Sequence, residues 1–363
     1  MLKFIGLRLL YGVLVLLGVV TLVFFLFNVL PGDPARMMLG QRADEESIAI
    51  INRDLGRDRP VTIQFAGYLN DLLPLSLHNN ADPQSFFYLA SDKYAPCTTL
   101  LKIGKTSVVL KAPYLRRSYQ SQRRVWEIIA TAFPQTALLA MVAMLFAMVA
   151  GVALGVVAAL HKGTWVDRLT LVISTLGMSL PSFFAAILIA WLFAYKLADV
   201  TGLNMFGNLY TVDDYGCGEY LDLKNMILPA LTLGIRPLAT LTQLTKNSML
   251  EALSQDYIRT ARAKGLSERR VVAGHALRNA LNPVVTSASG WLASLLAGAV
   301  FVEYVFDWKG MGVVIVDGLE KYDFPVVMGT ILFICLLLVT INILTDILYG
   351  LLDPRVRITS SAR

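Results

Sequence analysis

Charge is scarce in this chain. Of its 363 residues 16 % are Asp, Glu, Lys or Arg, against about 25 % in soluble domains. Histidine and cysteine are rarer, at three of each. Three cysteines in this length exclude a disulfide scaffold. His78, His161 and His275 are too scattered for metal-ligand spacing. There is no Gly-x-Ser-x-Gly elbow and no zincin motif. Gly104-Lys105-Thr106 looks like the end of a phosphate loop, but Thr99 stands where that loop needs its first glycine. The basic residues, although they give a net charge of +6, are not gathered on a soluble domain as a nucleic-acid binder requires. What abounds is apolar text: 56 % of residues are hydrophobic and the mean hydropathy is +0.59. That excludes disorder and points to a membrane protein.

A bilayer core takes about 20 apolar residues of helix, because every backbone group must be bonded internally. Runs free of Asp, Glu, Lys and Arg occur at Leu9–Leu30, Phe133–Leu160, Leu169–Tyr195, Ala280–Val302 and Phe324–Thr345. A sixth, Met226–Thr245, is interrupted by Arg236. The expected fold is an all-α integral membrane protein with six transmembrane helices. Lys3 and Arg8 precede the first run as in a secretory signal. That run exceeds the usual h-region and ends in Leu30-Pro31-Gly32-Asp33-Pro34, so a retained anchor is expected.

Orientation follows from basic residues in the short loops. Met1–Arg8, His161–Arg168, Lys246–Arg278 and Asp353–Arg363 carry 14 of them; Lys196–Asn225 and Glu303–Asp323 carry 4, with 10 acidic residues. Both termini are therefore expected in the cytoplasm. Pro31–Ala132 would lie outside, its length exempting it from the rule. Within it Asp44–Arg53 reads as a short helix opening on acidic residues, and the text beyond Leu77 turns polar, broken by Pro83, Pro96 and Pro113. It fits a surface loop, with a disordered spacer as the alternative. Cys97 and Cys217 fall outside, and their pairing stays open; Cys335 is expected to pack within a span. Gly151 and Gly155, four apart, permit close helix approach.

Few ionisable residues lie inside the spans: Arg236 and Asp346 are the candidates. Arg236 sits about ten residues into the fourth run, where lipid exposure of a charge costs roughly 2.5–3.5 kcal/mol or more. It is expected to face a water-filled route or a partner; in the alternative the span is shifted and Arg236 snorkels.

The most informative segment is the loop 246–283. Asp256–Lys264 is composed like a helix, and Gly265 can adopt the left-handed conformation that ends one. Ser267 can cap a second helix, which should stop before Pro283. Tyr257 and Ala261 share a face of the first helix, and Arg262 points elsewhere. On composition alone, a solvated basic loop is the plainer reading.

The loop resembles the EAA loop of binding-protein-dependent ABC importer permeases. In that pattern Glu-Ala-Ala is followed by three residues, a Gly, nine residues and Ile-x-Leu-Pro. Ala261, Gly265 and Leu277 match; Arg259, Thr260, His275 and Arg278 depart. The departures agree with the dipeptide/oligopeptide/nickel branch, which typically reads Tyr-x-Arg-Thr-Ala-Arg-Ala-Lys-Gly and His-x-Leu-x-Asn. Further matches are Leu30-Pro31-Gly32-Asp33-Pro34, Ser179-Leu180-Pro181-Ser182-Phe183, Leu228-Pro229-Ala230, Glu303 with Phe306, Gly310 and Gly312, then Asp323, Pro325 and Leu352-Asp353-Pro354-Arg355. The resemblance covers about 1–78 and 116–357, leaving 78–115 as an insertion.

The resemblance implies a prokaryotic inner-membrane permease, no enzyme itself, forming half of a peptide pathway with a second permease subunit. Two cytoplasmic ABC ATPase subunits would bind the ATP, so the chain itself needs no cofactor. An extracytoplasmic solute-binding protein would deliver the cargo. It further implies coupling residues at Asp256, Tyr257, Arg259, Thr260, Ala261, Arg262, Ala263, Lys264, Gly265 and Leu266. The domains expected are the helix 1–30, the outer region 31–132, the transmembrane domain 133–357 and a tail, 358–363. Nickel complexes or glycosides are alternative cargoes within the branch. An autonomous channel or secondary carrier is the rival class, and the scarcity of intramembrane charge argues against it.

Overall fold

The computed structural model describes residues 2–29, 45, 48–49, 52, 56–82, 85–94, 97–212 and 218–352. Cys217, the stretch 30–34, the tail 358–363 and most of the expected helix at Asp44–Arg53 lie outside the described residues, as does the Asp346 side chain.

The chain is mostly helical. In order run α1 (Leu2–Val29), α2 (Val61–Leu72), α3 (Val125–Leu160), α4 (Trp165–Ser179), α5 (Ser182–Ile189), α6 (Lys224–Ser254) and α7 (Asp256–Ala263). Then come α8 (Leu277–Gly298), α9 (Val300–Val305), α10 (Met311–Glu320) and α11 (Phe324–Leu352). Strands β1 (Leu75–Asn79), β2 (Cys97–Ile103) and β3 (Thr106–Lys111) form one antiparallel sheet, and β4 (Tyr210–Val212) pairs with β5 (Glu219–Leu221). The all-α expectation thus fails outside the long helices.

Among the described residues four helices are long and apolar enough to cross a membrane: Gly6–Asn28, Val125–Leu160, Lys224–Ser254 and Phe324–Thr345. The third expected run is not one straight helix. It breaks between Ser179 and Ser182 with a bend of 112°. Pro181 lacks the N–H a helix needs there and holds Leu180 extended at ψ 130°. The expected fifth run falls in α8, which does not join the four. It lacks charge beyond Arg278, but Asn279, Asn282, Thr286, Ser287, Ser289 and Ser294 dilute its hydropathy.

The fold divides into two compact units. The first comprises Met1–Val13, Ala132–Val313 and Ile334–Arg363. Here α6 packs against α4, α5, α8 and α9. α3 also approaches α6 closely through small residues: a Cβ on Gly155 would lie 2.7 Å from the Thr242 carbonyl oxygen, and one on Gly151 3.0 Å from that of Leu238. The spacing of these glycines is therefore a close helix crossing, as expected from the sequence.

The second unit comprises Leu14–Thr131 and Val314–Phe333. Phe65, Tyr68 and Leu72 of α2 pack on Phe24 and Phe27 of α1 and on Phe324, Val327 and Met328 of α11. The Phe24 and Tyr68 rings stack at 5.5 Å. Asp71, at the end of α2, is a buried hub: it accepts from the Tyr94 hydroxyl (2.7 Å) and Arg116 Nε (3.0 Å), and its carbonyl accepts from Lys111 Nζ (2.6 Å). Asp323 ties the 118–120 turn to α11, accepting from the Ser118 hydroxyl and from the Tyr119 N–H at 2.9 Å. The expected irregular insertion thus contributes two strands, β2 and β3, which join β1 in an ordered sheet in the order β1-β3-β2. Its pattern hides it: Ser76, His78, Ser107 and Lys111 face inward, towards the Asp71 hub, while leucines face out.

Candidate functional site

The loop 246–283 is built as two helices about a left-handed glycine. α7 opens on Asp256, whose charge suits the helix N-terminus. It closes with Gly265 at φ +77°. The Gly265 N–H donates to the Arg262 carbonyl (2.9 Å) and the Leu266 N–H to that of Ala261 (3.4 Å). These are the paired bonds of a Schellman cap, and Leu266 meets Ala261 in one apolar cluster, as that cap favours. Ser267 then takes the extended N-cap conformation, without a side-chain cap bond, before a single turn at Glu268–Arg270. A π-helical stretch, Val271–Ala276, leads into α8. The expected stop before Pro283 does not occur: α8 runs through it. The proline leaves the carbonyl four residues back without its helical donor, and that residue, Asn279, is exposed to solvent.

Burial splits the ten candidate residues into two sets. Ala261 is buried, at 6 % exposure, beside Ile258, a residue outside the ten that is 0 % exposed, and Leu266 is half-buried next to them. They pack on Met249 and Ala252 of α6, Ala159 of α3, and Val271 and Ala276. Asp256, Tyr257, Arg259, Thr260, Arg262, Ala263, Lys264 and Gly265 are exposed. Ala261 therefore does not share the exposed face of Tyr257; it lies three residues beyond Ile258 on the inward stripe. Ile258 was missed from sequence, although its i, i+3 spacing to Ala261 and its apolar side chain signal an inner face. Arg262 points away as expected and reaches across the turn to Glu268 (Nε to Oε1, 2.7 Å). At this exposure the pair is worth about 0–1 kcal/mol.

A second constellation surrounds Glu303 of α9, just beyond α8. The side chain is fully buried. Its Oε2 accepts from the Gly312 N–H (2.6 Å), and the Thr136 hydroxyl also bonds the carboxyl. Any Cβ on Gly310 would strike that carboxyl, and one on Gly312 would strike Val300. The Met311 N–H donates to Thr136 Oγ1 (2.8 Å) and the Trp308 indole to the Gln135 carbonyl (3.1 Å). The residues noted by resemblance, Glu303, Gly310 and Gly312, thus form a lock on α3.

Two polar features remain on otherwise apolar helices. Arg236 is the one exposed residue of α6 between Ile227 and Asn247. α8 exposes Asn279, Asn282, Thr286, Gly290 and Ser294, at intervals of three and four that make one stripe along the helix.

Residues 151–358 match the family described as binding-protein-dependent transport system inner membrane component, and residues 1–83 match its N-terminal part. The chain belongs to this family. The permease is 35 % identical to the di/tripeptide transport system permease protein DppB of Pseudomonas aeruginosa, over 98 % of this chain and 99 % of that one. It is 35 % identical to the glutathione permease GsiC of Salmonella typhimurium and 33 % to the dipeptide permease DppB of Escherichia coli K12, with the same coverage. Among solved structures it is similar to a chain of the inward-facing MetNI methionine ABC transporter, at a TM-score of 0.49 and 17 % identity over 63 % of this chain and 97 % of that one.

One ion pair of the permease gave no signal in the sequence. Lys246 Nζ of α6 meets Asp167 Oδ1 of α4, both side chains being largely buried, while the Gly163 N–H donates to Oδ2 at 3.0 Å. Asp167→Ala or Lys246→Ala is expected to cost roughly 1.5–3 kcal/mol, since a charged hydrogen bond is lost. The double variant should unfold little below the worse single in thermal scans of the purified permease. Fully additive losses would show that the pair does not couple.

Proposed function

We propose that this permease forms half of the translocation pathway of an ABC importer for di- and oligopeptides. A second permease subunit completes the route, two cytoplasmic ATPase subunits drive it, and an extracytoplasmic solute-binding protein supplies the cargo. The observation that carries the reading is the 35 % identity to a di/tripeptide permease across 98 % of the chain. Counting the bent pair α4–α5 as one span and α8 as another gives six spans, with both termini and the 246–283 loop in the cytoplasm. The exposed set from Asp256 to Lys264 then faces an ATPase subunit. The buried set anchors it to α6, so ATPase closure is transmitted as a rigid-body movement.

The stripe on α8 and Arg236 of α6 support a water-filled route, since uncharged polar groups and a lone cation are disfavoured against lipid. The complex purified through a tag on this chain should contain the ATPase subunits. In proteoliposomes it should import a labelled dipeptide only with ATP and the binding protein. Import of a nickel complex or glycoside in its place would overturn the peptide assignment. In the same vesicles Arg236→Cys should react with a charged aqueous thiol reagent in at least one nucleotide state; protection in all of them would remove Arg236 from the pathway.

A further inference from the structure

The three-stranded sheet is built inside out. Cross-strand partners share a face, and the register aligns Leu75 with Leu110, Leu77 with Val108 and Leu101, and Ile103 with Thr106. The opposite face buries Ser76, His78, Ser107 and Lys111 around a single apolar residue, Val109. The outer face is thus largely aliphatic, with Leu75, Leu77, Leu101, Ile103 and Leu110 each 46–66 % exposed. At the β2–β3 turn Lys105 follows Ile103, the most exposed of the five, while Lys102 pairs with Ser107 on the opposite face. From Cys97 to Arg124 the sequence has seven basic residues and no acidic one.

We propose that this largely aliphatic face rests on the outer leaflet of the membrane that the permease spans, with Lys105 of the adjoining turn on an anionic phospholipid headgroup. Position supports this. Leu72 packs with Phe24 and Phe27, in the last turns of the Gly6–Asn28 span, and β1 starts three residues later. At roughly 3.6 Å per residue that keeps Leu75 at the margin of the bilayer. Trp126, exposed at the start of α3, suits the aromatic belt of the same interface. An apolar face flanked by a lysine is the composition of an interfacial element.

Composition also selects lipid over protein. A surface that docks and releases a soluble partner in every cycle is enriched in Tyr, Trp and Arg and mixed with polar groups; this one is largely aliphatic, with Thr98 and Thr106 among its few polar residues, and has no aromatic or arginine side chain. A second copy adding to the open edge is disfavoured too. That edge, β2, is bulged between Thr99 and Leu101 and carries Lys102.

The inference rests on the membrane topology proposed above and not on the cargo. The test uses the assembled transporter in lipid nanodiscs, with native cysteines replaced and a spin label at Ile103→Cys, Leu77→Cys or, as a water-exposed control, Lys93→Cys. Collisions with oxygen relative to a water-soluble nickel chelate should be several-fold higher at 103 and 77 than at 93, without any binding protein. Adding Lys105→Glu should reduce that ratio in discs containing phosphatidylglycerol. Equal ratios at all three sites would overturn the proposal. Protection that arises only when the binding protein is added would overturn it in favour of a protein-docking face. An unchanged ratio in the Glu variant would overturn the headgroup assignment. Failure of the same complex to import peptide in proteoliposomes would count against the importer reading alone.

Discussion

Gly265→Val is expected to leave the permease inserted in the membrane and to uncouple ATP hydrolysis from uptake. The residue stands at φ +77°, and no atom lies within 4 Å of a Cβ built there. Space is therefore not the obstacle; backbone conformation is. A branched side chain in the left-handed region costs roughly 1–3 kcal/mol, equivalent to about 5–150-fold in the population of the native turn. The Schellman bonds from Gly265 and Leu266 would be lost together, and α7 would leave its seat on Met249 and Val271. Asn tolerates this conformation, so Gly265→Asn should retain most coupling. The measurement is uptake per ATP hydrolysed, alongside co-purification of the ATPase subunits. Wild-type coupling in the Val variant would end the assignment of this turn as the docking platform.

Glu303 should make stability fall as pH rises towards neutrality. Burial pushes its carboxyl from the ordinary 4.5 up to about 7, against the opposing pull of the Thr136 hydroxyl and the Gly312 N–H. Between those values the folded chain holds a proton that the unfolded chain releases. The contribution is fully present below the unfolded value and is lost as pH rises through the folded one, by up to roughly 3 kcal/mol. Thermal unfolding of the purified transporter between pH 5 and 8 should show this slope, and Glu303→Gln should flatten it. Glu303→Ala should cost roughly 1–3 kcal/mol at every pH, because it leaves the buried Gly312 N–H without its acceptor. An identical slope in wild type and Gln variant would place the titration elsewhere.

The long apolar helices were legible because the bilayer constrains each stretch by itself: length and composition must satisfy the backbone without help from neighbours. The same locality made the α7 turn readable, since a helix, a glycine and a following Ser-Glu pair belong to one short segment. Where a run was misread, the missing information lay just beyond the test applied. Absence of charge does not register the Asn, Ser and Thr side chains of α8, nor the 112° bend at Pro181 within the Leu169–Tyr195 run.

By itself the sequence determined a helical membrane chain, the Gly265 turn and membership of a permease family. Only the tertiary structure decided which face of each element is inward. Ala261 turns from the expected docking face into the cluster with Ile258, because Met249 and Val271 approach from distant segments. The β-sheet is invisible to alternation because its buried face is polar apart from Val109, and that polarity makes sense only once Asp71, Tyr94 and Arg116 converge on it. Glu303 and Gly312 are nine residues apart, but their lock needs Thr136 of α3. Side-chain direction depends on neighbours remote in the chain, and local pattern carries no record of them.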